Sequence, residues 1–289
     1  MNDISIIGAG RLGTSLGHAL SKKGYRIKAL SCRTYSSAEE SRQIIGEGTA
    51  STDNIHTASV GELVFMCLPD DKIVPVTGKL ASSNINLSKK YVFHCSGLFP
   101  SEVLEPLKAK GALIASFHPI QSFSNKKTNP KQFEGIYIGL EGCSESLSLA
   151  QKIVQKLQGH PLILQAKDKA LYHAACSTAS NFFVVLLDMA VSLLKNINIQ
   201  EEKAFEILLP LVKGTLHNVK KFNTSASLTG PVVRGDQKSI QKHLDALENL
   251  PSYYETYKKL SIQALEIAEK EKKLPPKKIK ELRNLLAGK

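Results

Sequence analysis

Residues 4–13 read ISIIGAGRLG, an apolar run that leads directly into a Gly-x-Gly-x-x-Gly turn. The apolar run predicts a buried β-strand. Leucines recur after the turn at helical spacing and indicate an amphipathic helix that stops near Gly24. Strand, glycine turn and helix in this order are typical of a dinucleotide-binding fold, whereas a chance glycine triplet in a loop would lack the flanking elements.

The three glycines of this turn have separate expected roles. Gly8 permits the tight turn after the strand, Gly10 lets the backbone approach a pyrophosphate, and Gly13 lets the helix pack closely on the strand. The helix N-terminus offers free N–H groups and partial positive charge to a phosphate. We therefore expect a nucleotide cofactor to be held by the residues of the turn: Gly8, Ala9, Gly10, Arg11, Leu12 and Gly13.

The end of the second predicted strand indicates which dinucleotide is bound. An NAD site usually places Asp or Glu there, but this chain has Ser31-Cys32-Arg33-Thr34, with no acidic residue before Glu39. Arg33 can form paired hydrogen bonds with a 2′-phosphate, and Ser31 and Thr34 can add hydroxyl donors. The alternative is an ordinary exposed arginine in a loop. The pattern favours NADP(H) over NADH.

The arrangement of predicted elements changes partway along the chain. Short apolar runs alternate with helical stretches up to about residue 165, which predicts a doubly wound, mainly parallel sheet of the Rossmann type. From Ala166 onward the strand signals stop and helical patterns continue to the end. We expect an NADP-binding Rossmann domain at 1–165 and an all-helical domain for substrate binding and dimerisation at 166–289.

Composition narrows the class of protein. The 289 residues carry a net charge of +12, but many of the lysines in residues 258–281 lie among glutamates, as on a solvated helix face. Without aromatic interleaving or a recognisable motif, this charge does not predict a nucleic-acid site. No run approaches the roughly twenty apolar residues of a membrane span. The strand at the N-terminus and five scattered cysteines suggest a cytoplasmic protein with reduced thiols and no signal peptide.

Two polar clusters follow neighbouring predicted strands. They are His94-Cys95-Ser96-Gly97 and His118-Pro119-Ile120-Gln121-Ser122. Because ligands bind beyond the carboxyl ends of parallel strands, Ser96 and His118 are expected to face one nicotinamide. His118 would exchange a proton with a substrate oxygen or nitrogen, and Ser96 would orient the same group. In the alternative interpretation, these residues only cap strand ends or the helices that follow.

The first helix after residue 166 carries a polar stripe. Lys169, His173, Ser177 and Asn181 recur every four residues on an otherwise small and apolar helix. Solvated faces favour Lys and Glu, so a stripe of small hydrogen-bonding residues suits the wall of a cleft better. We expect Lys169 and His173 to assist catalysis and Asn181 to bind substrate, with a solvated face as the alternative.

A glycine-flanked arginine offers a further candidate. Arg234 lies between Gly230 and Gly235, and it is placed to bind a substrate carboxylate, in its own or a partner subunit's cleft. Equally, Arg234 could pair with Asp236, which itself is expected to cap the next helix. His94, Cys95, His118 and His173 lack the paired short spacing of metal ligands, so no metal site is predicted.

Taken together, these motifs resemble a family of two-domain predicted NADP oxidoreductases, in which a Rossmann-like domain precedes a helical domain of uncharacterised function. The matching pieces lie between residues 4 and 236 and read IGAGRLG, SCRT, FHCSGLFPSEVL, SFHPIQSF, ALYHAACSTASNF and LTGPVVRGD. More distantly, the chain is similar to pyrroline-5-carboxylate reductase, prephenate dehydrogenase and hydroxyisobutyrate dehydrogenase.

The resemblance implies roles for several residues. Ser96 and His118 match the catalytic Ser and His that follow successive strands in prephenate dehydrogenases. Lys169 matches the catalytic Lys of hydroxyisobutyrate-type enzymes, but His173 stands where those enzymes have Asn, so the hydroxy-acid reaction does not carry over directly. Relatives of this kind dimerise through the helical domain, which implies a homodimer.

The sequence therefore predicts an NADP(H)-dependent oxidoreductase that transfers a hydride to or from a small anionic metabolite, such as a hydroxy acid, keto acid or imine. Neither nucleic acid nor a membrane is expected as a partner. The alternative is a catalytically silent protein that binds NADP(H) as a sensor or binds a protein partner.

Overall fold

The computed structural model describes residues 3–126 and 129–288. The chain divides into two compact units, the first ending at Phe182 and the second beginning at Phe183. Residues 166–182, which the sequence analysis grouped with the helical domain, belong to the first unit in this division.

The first unit is built on one eight-stranded sheet with the order β3-β2-β1-β4-β5-β6-β7-β8. All neighbouring strands run parallel except β6 and β7, which are antiparallel. This confirms the predicted doubly wound, mainly parallel architecture. The strands are β1 Asp3–Ile7, β2 Arg26–Ser31, β3 Thr49–Ser51, β4 Leu63–Met66, β5 Tyr91–His94, β6 Leu113–Pro119, β7 Tyr137–Gly142 and β8 His160–Ile163.

Helices connect the strands and cover both faces of the sheet, as parallel strands require. They are α1 Arg11–Lys22, α2 Tyr35–Ile45, α3 Asn54–Val60, α4 Asp70–Ser82, α5 Glu105–Lys108, α6 Ser144–Lys156 and α7 Lys169–Ser177. Short 3₁₀ turns lie at Ser101–Leu104, Pro130–Phe133 and Ala166–Asp168, and a π-helical turn, Thr178–Phe182, follows α7.

The sheet is buried in the middle of the first unit. Phe65, Phe93 and Phe117 stand on the adjacent strands β4, β5 and β6, and all three are fully buried. The Phe65 ring meets the other two edge to face, with centroids 5.8 Å from Phe93 and 5.2 Å from Phe117, and the rings of Phe93 and Phe117 are stacked at 6.4 Å. Edge-to-face aromatic pairs are favourable beyond the area that they bury, so this cluster holds the central strands in register below their carboxyl ends.

The second unit is entirely helical within the residues described, as predicted. Its helices are α8 Phe183–Lys195, α9 Glu201–Phe222, α10 Thr224–Ser227, α11 Pro231–Arg234, α12 Gln237–Leu247, α13 Pro251–Lys270 and α14 Pro276–Ala287. A core of apolar side chains joins the last four of these helices, and its buried members are Val232, Ile240, Leu244, Leu265, Ile279, Leu282 and Leu286.

One helical stretch in the described part of the chain, Ala166–Lys195, is 30 residues long and apolar enough to cross a membrane by length and composition alone. No residue of its most apolar window is buried. The expectation that nothing approaches a membrane span overlooked this stretch, because its small polar residues interrupt the apolar run without lowering the mean hydropathy much. Helices of soluble proteins can pass the same test, so its length and composition are weak grounds for a membrane span.

Candidate functional site

The glycine turn after β1 is tied to the end of β2. The backbone N–H groups of Gly8 and Ala9 both donate to the backbone oxygen of Ser31, each at 2.9 Å. Gly8 has a φ of +88°, a conformation that residues with a side chain rarely adopt. These bonds fix the turn at the carboxyl edge of the sheet, where ligands of open α/β folds bind.

The space around each glycine of the turn distinguishes Gly8 and Gly13, which are tightly packed, from Gly10, which is not. A Cβ at Gly13 would lie 2.4 Å from the backbone oxygen of Gly8, and a Cβ at Gly8 would lie 2.6 Å from that of Cys67. A Cβ at Gly10 would meet nothing within 4 Å. The packing roles expected of Gly8 and Gly13 are therefore seen directly, while the approach of Gly10 to a pyrophosphate stays a prediction.

Helix α1 begins immediately after this open glycine. Arg11 is its first residue and is exposed, and Leu12 is partly buried against the core. Gly10, at the N-cap, has no side chain with which to cap the first-turn N–H groups. An uncapped helix N-terminus suits an anionic ligand, because its N–H groups and partial positive charge face outward.

Three side chains that the sequence analysis did not identify hold the carbonyl group of Ala9. Its oxygen accepts hydrogen bonds from the hydroxyls of Ser41 and Thr14, at 2.8 and 3.1 Å, and from the thiol of Cys32 at 3.2 Å. They come from α1, α2 and the end of β2, so the turn is braced from three elements. No local sequence pattern signals such convergence.

The candidate residues at the end of β2 have different surroundings. Ser31 is fully buried, and its hydroxyl donates to Asn54 Oδ1 at 2.7 Å, so it supports the turn instead of facing a ligand. Thr34 caps α2 by accepting from the N–H of Ser37 at 3.4 Å. Arg33 is exposed and forms no ion pair with any part of the chain that the structure describes. Its guanidinium group is therefore available to a phosphate.

His94, at the end of β5, is a structural residue. It is fully buried, Nε2 donates to the backbone oxygen of Pro100 at 3.2 Å, and Nδ1 accepts from the N–H of Ser96 at 3.2 Å. These partners require a neutral ring with its proton on Nε2. Burial, followed by the charge of Lys169, lowers the pKa of His94 to about 3, which keeps the ring neutral.

Ser96 stabilises the turn that follows β5. Its hydroxyl accepts from the N–H groups of Leu98 and Phe99, each at 3.1 Å, and its side chain is almost buried. Its backbone oxygen accepts from the hydroxyl of Ser116 at 3.3 Å. The capping role that sequence analysis kept as an alternative is therefore present, and orientation of a substrate by Ser96 stays a prediction.

Lys169 lies beneath the site, at the start of α7. It is 1 % exposed, and its ammonium group donates to the backbone oxygen of Ser96 at 3.0 Å and to the hydroxyl of Ser116 at 2.5 Å. Burial lowers the pKa of Lys169 to about 8, against the opposing effect of nearby negative groups led by Glu141. Lys169 thus joins α7 to the ends of β5 and β6 and places a cation behind them.

His118, at the end of β6, is held on both sides of its ring. Nδ1 lies 2.6 Å from the hydroxyl of Tyr172. A Cβ at Gly97 would lie 2.8 to 2.9 Å from Cε1 and Nε2 of His118 and 2.7 Å from Cδ2 of His173. Both imidazoles therefore pack on the Gly97 backbone, and their ring centroids are 6.1 Å apart. Burial, then the positive charges of Lys169 and His173, lower the pKa of His118 to about 4.

A cavity of about 390 Å³ opens beside these two imidazoles, within the first unit. His118 and His173 line it together with Ser177 and Asn181. Three members of the predicted stripe on α7 and the turn that follows therefore share a concave wall with His118, as the cleft interpretation expects. The fourth, Lys169, is not among the lining residues. Gln121, Ser122 and Cys176 add further polar atoms.

Arg234 lies in the second unit, in a turn with positive φ at Gly230 (+105°) and at Gly235 (+69°). Its side chain is exposed. Asp236 caps α12, as expected, by accepting from the N–H and the hydroxyl of Ser239 at 3.1 and 2.6 Å. No ion pair joins Arg234 to Asp236 in the described chain, so the guanidinium group remains open to a ligand.

Two further residues of the site had no sequence signal. Tyr172 lies three positions after Lys169 and falls off the four-residue stripe, so its contact with His118 was not anticipated. Glu141, on β7, is buried and accepts from the N–H and hydroxyl of Ser101. Across residues 3–126 and 129–288, no group of three or more His, Cys, Asp or Glu side chains converges in a way that could hold a metal ion.

Two family models match the chain. A Rossmann-like domain matches residues 2–119, and the Domain of unknown function (DUF2520) matches residues 136–264. No curated protein sequence matches it significantly.

Solved structures share the whole architecture. The chain is 26% identical to a candidate NADP oxidoreductase from Bacteroides fragilis, with a TM-score of 0.76, over 91% of this chain and 97% of that one. It is 28% identical to a protein from Thermotoga maritima, with a TM-score of 0.72, over 93% and 99%.

More distant structures share the fold alone. A pyrroline-5-carboxylate reductase from Coxiella burnetii is 16% identical, with a TM-score of 0.55, over 92% of this chain and 98% of that one. Imine reductases and a reductive aminase, the latter solved with NADPH, fall in the same range of identity. The structures from Bacteroides fragilis and Thermotoga maritima thereby confirm the resemblance to two-domain NADP oxidoreductases, and the likeness to pyrroline-5-carboxylate reductase is one of fold.

Proposed function

We propose that this chain, which joins a Rossmann-like domain to a DUF2520 domain, is an NADP(H)-dependent oxidoreductase of a small metabolite. The observation that carries the proposal is the glycine turn, where open space at Gly10 meets the uncapped N-terminus of α1. A pyrophosphate fits there because the backbone can approach it and the helix dipole favours its charge.

The end of β2 supports NADP(H) over NADH. Arg33 is exposed, forms no ion pair with other described residues and follows the strand whose end faces the adenosine ribose in folds of this kind. A 2′-phosphate would gain paired hydrogen bonds from its guanidinium group, and no carboxylate lies between the end of β2 and Glu39 to repel it. Thr34 adds a hydroxyl at the same place.

The bound nicotinamide would supply or accept the hydride. His118 would contact the reacting oxygen or nitrogen from the cavity wall, since it is the titratable ring nearest the end of β6. With its pKa lowered to about 4, the ring is neutral at neutral pH. In the direction of reduction, a neutral ring can donate a hydrogen bond to the carbonyl or imine, and the proton that completes the product would come from solvent. His173, Ser177 and Asn181 would orient the substrate.

The substrate is proposed to be a small anionic compound, such as a hydroxy acid, keto acid or imine with a carboxylate. Arg234 is the candidate anchor for that carboxylate, in its own or a partner subunit's cleft, because its guanidinium group is exposed and carries no ion-pair partner in the described residues. The Lys169 ammonium group lies behind Ser96 and would add positive potential without touching the substrate.

The proposal includes assembly as a homodimer through the helical part of the chain. Large apolar side chains are exposed along residues 166–195, which is unusual for the surface of a monomer. They are Leu171, Phe182, Val184, Val185 and Leu186. Five free thiols are compatible with the cytoplasm as its compartment, and neither nucleic acid nor a membrane is proposed as a partner.

Turnover can be tested by the absorbance of NADPH in a panel of keto acids, cyclic imines and neutral ketones. We expect NADPH oxidation with at least one carboxylate-bearing compound and a loss of about a hundredfold or more in His118→Ala. NADPH binding without turnover across the panel would instead support a silent sensor. Turnover in His118→Ala within a few-fold of the parent would contradict the role given to His118.

A further inference from the structure

The contact between His118 and Tyr172 is closely defined, although the sequence analysis gave Tyr172 no role. The hydroxyl lies 2.6 Å from Nδ1, and the rings meet at right angles with centroids 5.6 Å apart. The hydroxyl also rests on the backbone of β7, because a Cβ at Gly139 would lie 2.7 Å from it. Neither ring can turn without losing these contacts.

Burial, followed by the charged groups around it, determines the protonation of His118. Lys169 and His173 face it from α7, and His94 lies near it on β5. The buried carboxylate of Glu141, on β7, interacts with Lys169 and is bonded by Ser101. Cations near a half-buried imidazole oppose its protonation, so one ring nitrogen carries the proton and the other is an acceptor.

The surroundings of Tyr172 determine which ring nitrogen of His118 carries the proton. Burial is the main cause that raises the pKa of Tyr172, so the phenol keeps its proton. Among the described residues, the hydroxyl interacts with His118 Nδ1 and with the thiol of Cys176. An imidazole nitrogen is a strong acceptor and a thiol sulfur a weak one, so the phenol proton is directed to Nδ1.

We propose that Tyr172 is a positioning residue whose hydroxyl donates to Nδ1 of His118 and fixes the ring with its proton on Nε2. The proposal rests on the proposed function, because that proton is the one offered to the reacting carbonyl or imine. A neutral imidazole held in this way polarises the acceptor as hydride arrives, and a ring of the other tautomer presents no donor there.

A second hydrogen bond between a tyrosine and a histidine in this chain provides a matched control for the Tyr172–His118 contact. In the second unit, His243 Nδ1 lies 2.7 Å from the hydroxyl of Tyr257, and the rings meet at 87° with centroids 5.7 Å apart. The hydrogen-bond geometry is the same, but this pair lies on α12 and α13 of the second unit, and neither residue has been given a role above. Tyr257→Phe therefore removes an equivalent bond from a pair that does not include His118.

The test is two-bond ¹H–¹⁵N NMR of the histidine rings in the full-length protein, with the His118 signals assigned by their loss in His118→Asn. At neutral pH the parent should show an unprotonated Nδ1 and a protonated Nε2. Tyr172→Phe should shift the His118 signals toward a mixture of tautomers, keep NADPH affinity within about twofold, and lower kcat about tenfold or more with little change in KM. Tyr257→Phe should shift the signals of His243 alone.

A parent spectrum with the proton on Nδ1 of His118 overturns the proposal, and so does a Tyr172→Phe variant with an unchanged His118 spectrum. The parent spectrum decides the tautomer even if Tyr172→Phe does not fold or no substrate in the panel is turned over. A failure to bind NADPH would contradict the proposed function alone, since the tautomer is read from the free protein.

Discussion

The ammonium group of Lys169 donates a hydrogen bond to the backbone oxygen of Ser96 at 3.0 Å, although 73 positions separate the two residues. This bond fastens the start of α7 to the turn after β5. It also explains how a residue expected on the cavity wall lies behind it, where its charge influences His118 and His94 without contacting a ligand.

Lys169→Met tests this buried cation. The variant keeps the volume but loses the bonds to Ser96 and Ser116, so we expect a decrease of about 1–3 kcal/mol in the free energy of unfolding at neutral pH. The pKa of Lys169 is about 8 in the folded chain and 10.5 in the reference state. The unfolded state therefore binds more protons between these values, and the parent gains stability as pH rises through this window.

Urea unfolding at several pH values checks this prediction. The difference in unfolding free energy between parent and Lys169→Met should widen as pH rises from about 8 toward 10.5. An unchanged difference would mean that the ammonium group is not buried in solution.

His94 should make the fold sensitive to acid. Its pKa falls from 6.5 to about 3 on folding. Between these pH values the unfolded state therefore binds a proton that the folded state does not bind. Stability is therefore lost as pH falls below about 6.5. His94→Gln should unfold more easily at neutral pH yet show a shallower loss of stability toward acid. His56→Gln, at an exposed histidine, is the control and should follow the parent curve.

The three glycine roles can be separated by alanine substitution. Gly13→Ala places a Cβ against the Gly8 backbone and should destabilise the fold by several kcal/mol. Gly10→Ala meets open space, so it should leave the melting temperature nearly unchanged and weaken NADPH binding about tenfold or more, because the Cβ points where the pyrophosphate is expected.

Gly78→Ala serves as the control for these variants. Gly78 is exposed inside α4 with nothing within 4 Å of a Cβ, so the variant should gain about 0.5–1 kcal/mol and bind NADPH like the parent. Normal NADPH affinity in Gly10→Ala would place the cofactor elsewhere.

The exposed apolar helix predicts self-association. Val185 is 60% exposed on α8, so a charge there should disrupt a homodimer without disturbing a core. Size-exclusion chromatography with light scattering should show a dimer for the parent and a monomer for Val185→Glu. Val74→Glu, at a similarly exposed valine on α4, should stay dimeric. A monomeric parent, or one recovered only with detergent, would contradict the proposed assembly.

Much of the fold could be predicted from local sequence, because the features that specify it are local. Residues 4–13 contain the strand, the turn and the start of α1, and the long apolar run at β4 marks a buried parallel strand. Strand β3, Thr49–Ser51, was missed because it has only three residues and no apolar run. The π-helical turn Thr178–Phe182 was missed as well, since nothing in its composition distinguishes it from α-helix.

The site was less accessible to sequence analysis, because its side chains are brought together by tertiary packing. The spacing on α7 placed His173 and Asn181 on one face, and the structure puts both on the cavity wall. Periodicity could not show that Lys169 would turn toward Ser96, that Tyr172 would reach His118, or that Ser31 would be buried against Asn54. Those contacts depend on the order of strands in the sheet.

The turn after β1 and the side chain of Arg33 are the proposed binding site for NADP(H). The most direct test titrates the parent, Arg33→Ala and Arg26→Ala with NADPH and, separately, with NADH, following nicotinamide fluorescence at fixed salt. Arg26 is an exposed arginine at the other end of β2, so its variant matches the change in charge.

We expect the parent to bind NADPH at least about tenfold more tightly than NADH. Arg33→Ala should remove most of that preference while NADH affinity stays within about twofold, because hydrogen bonds to a charged group contribute about 1.5–3 kcal/mol. Arg26→Ala should behave like the parent. Equal affinity for the two cofactors in the parent would contradict the role given to Arg33, and binding of neither would contradict the proposed cofactor site.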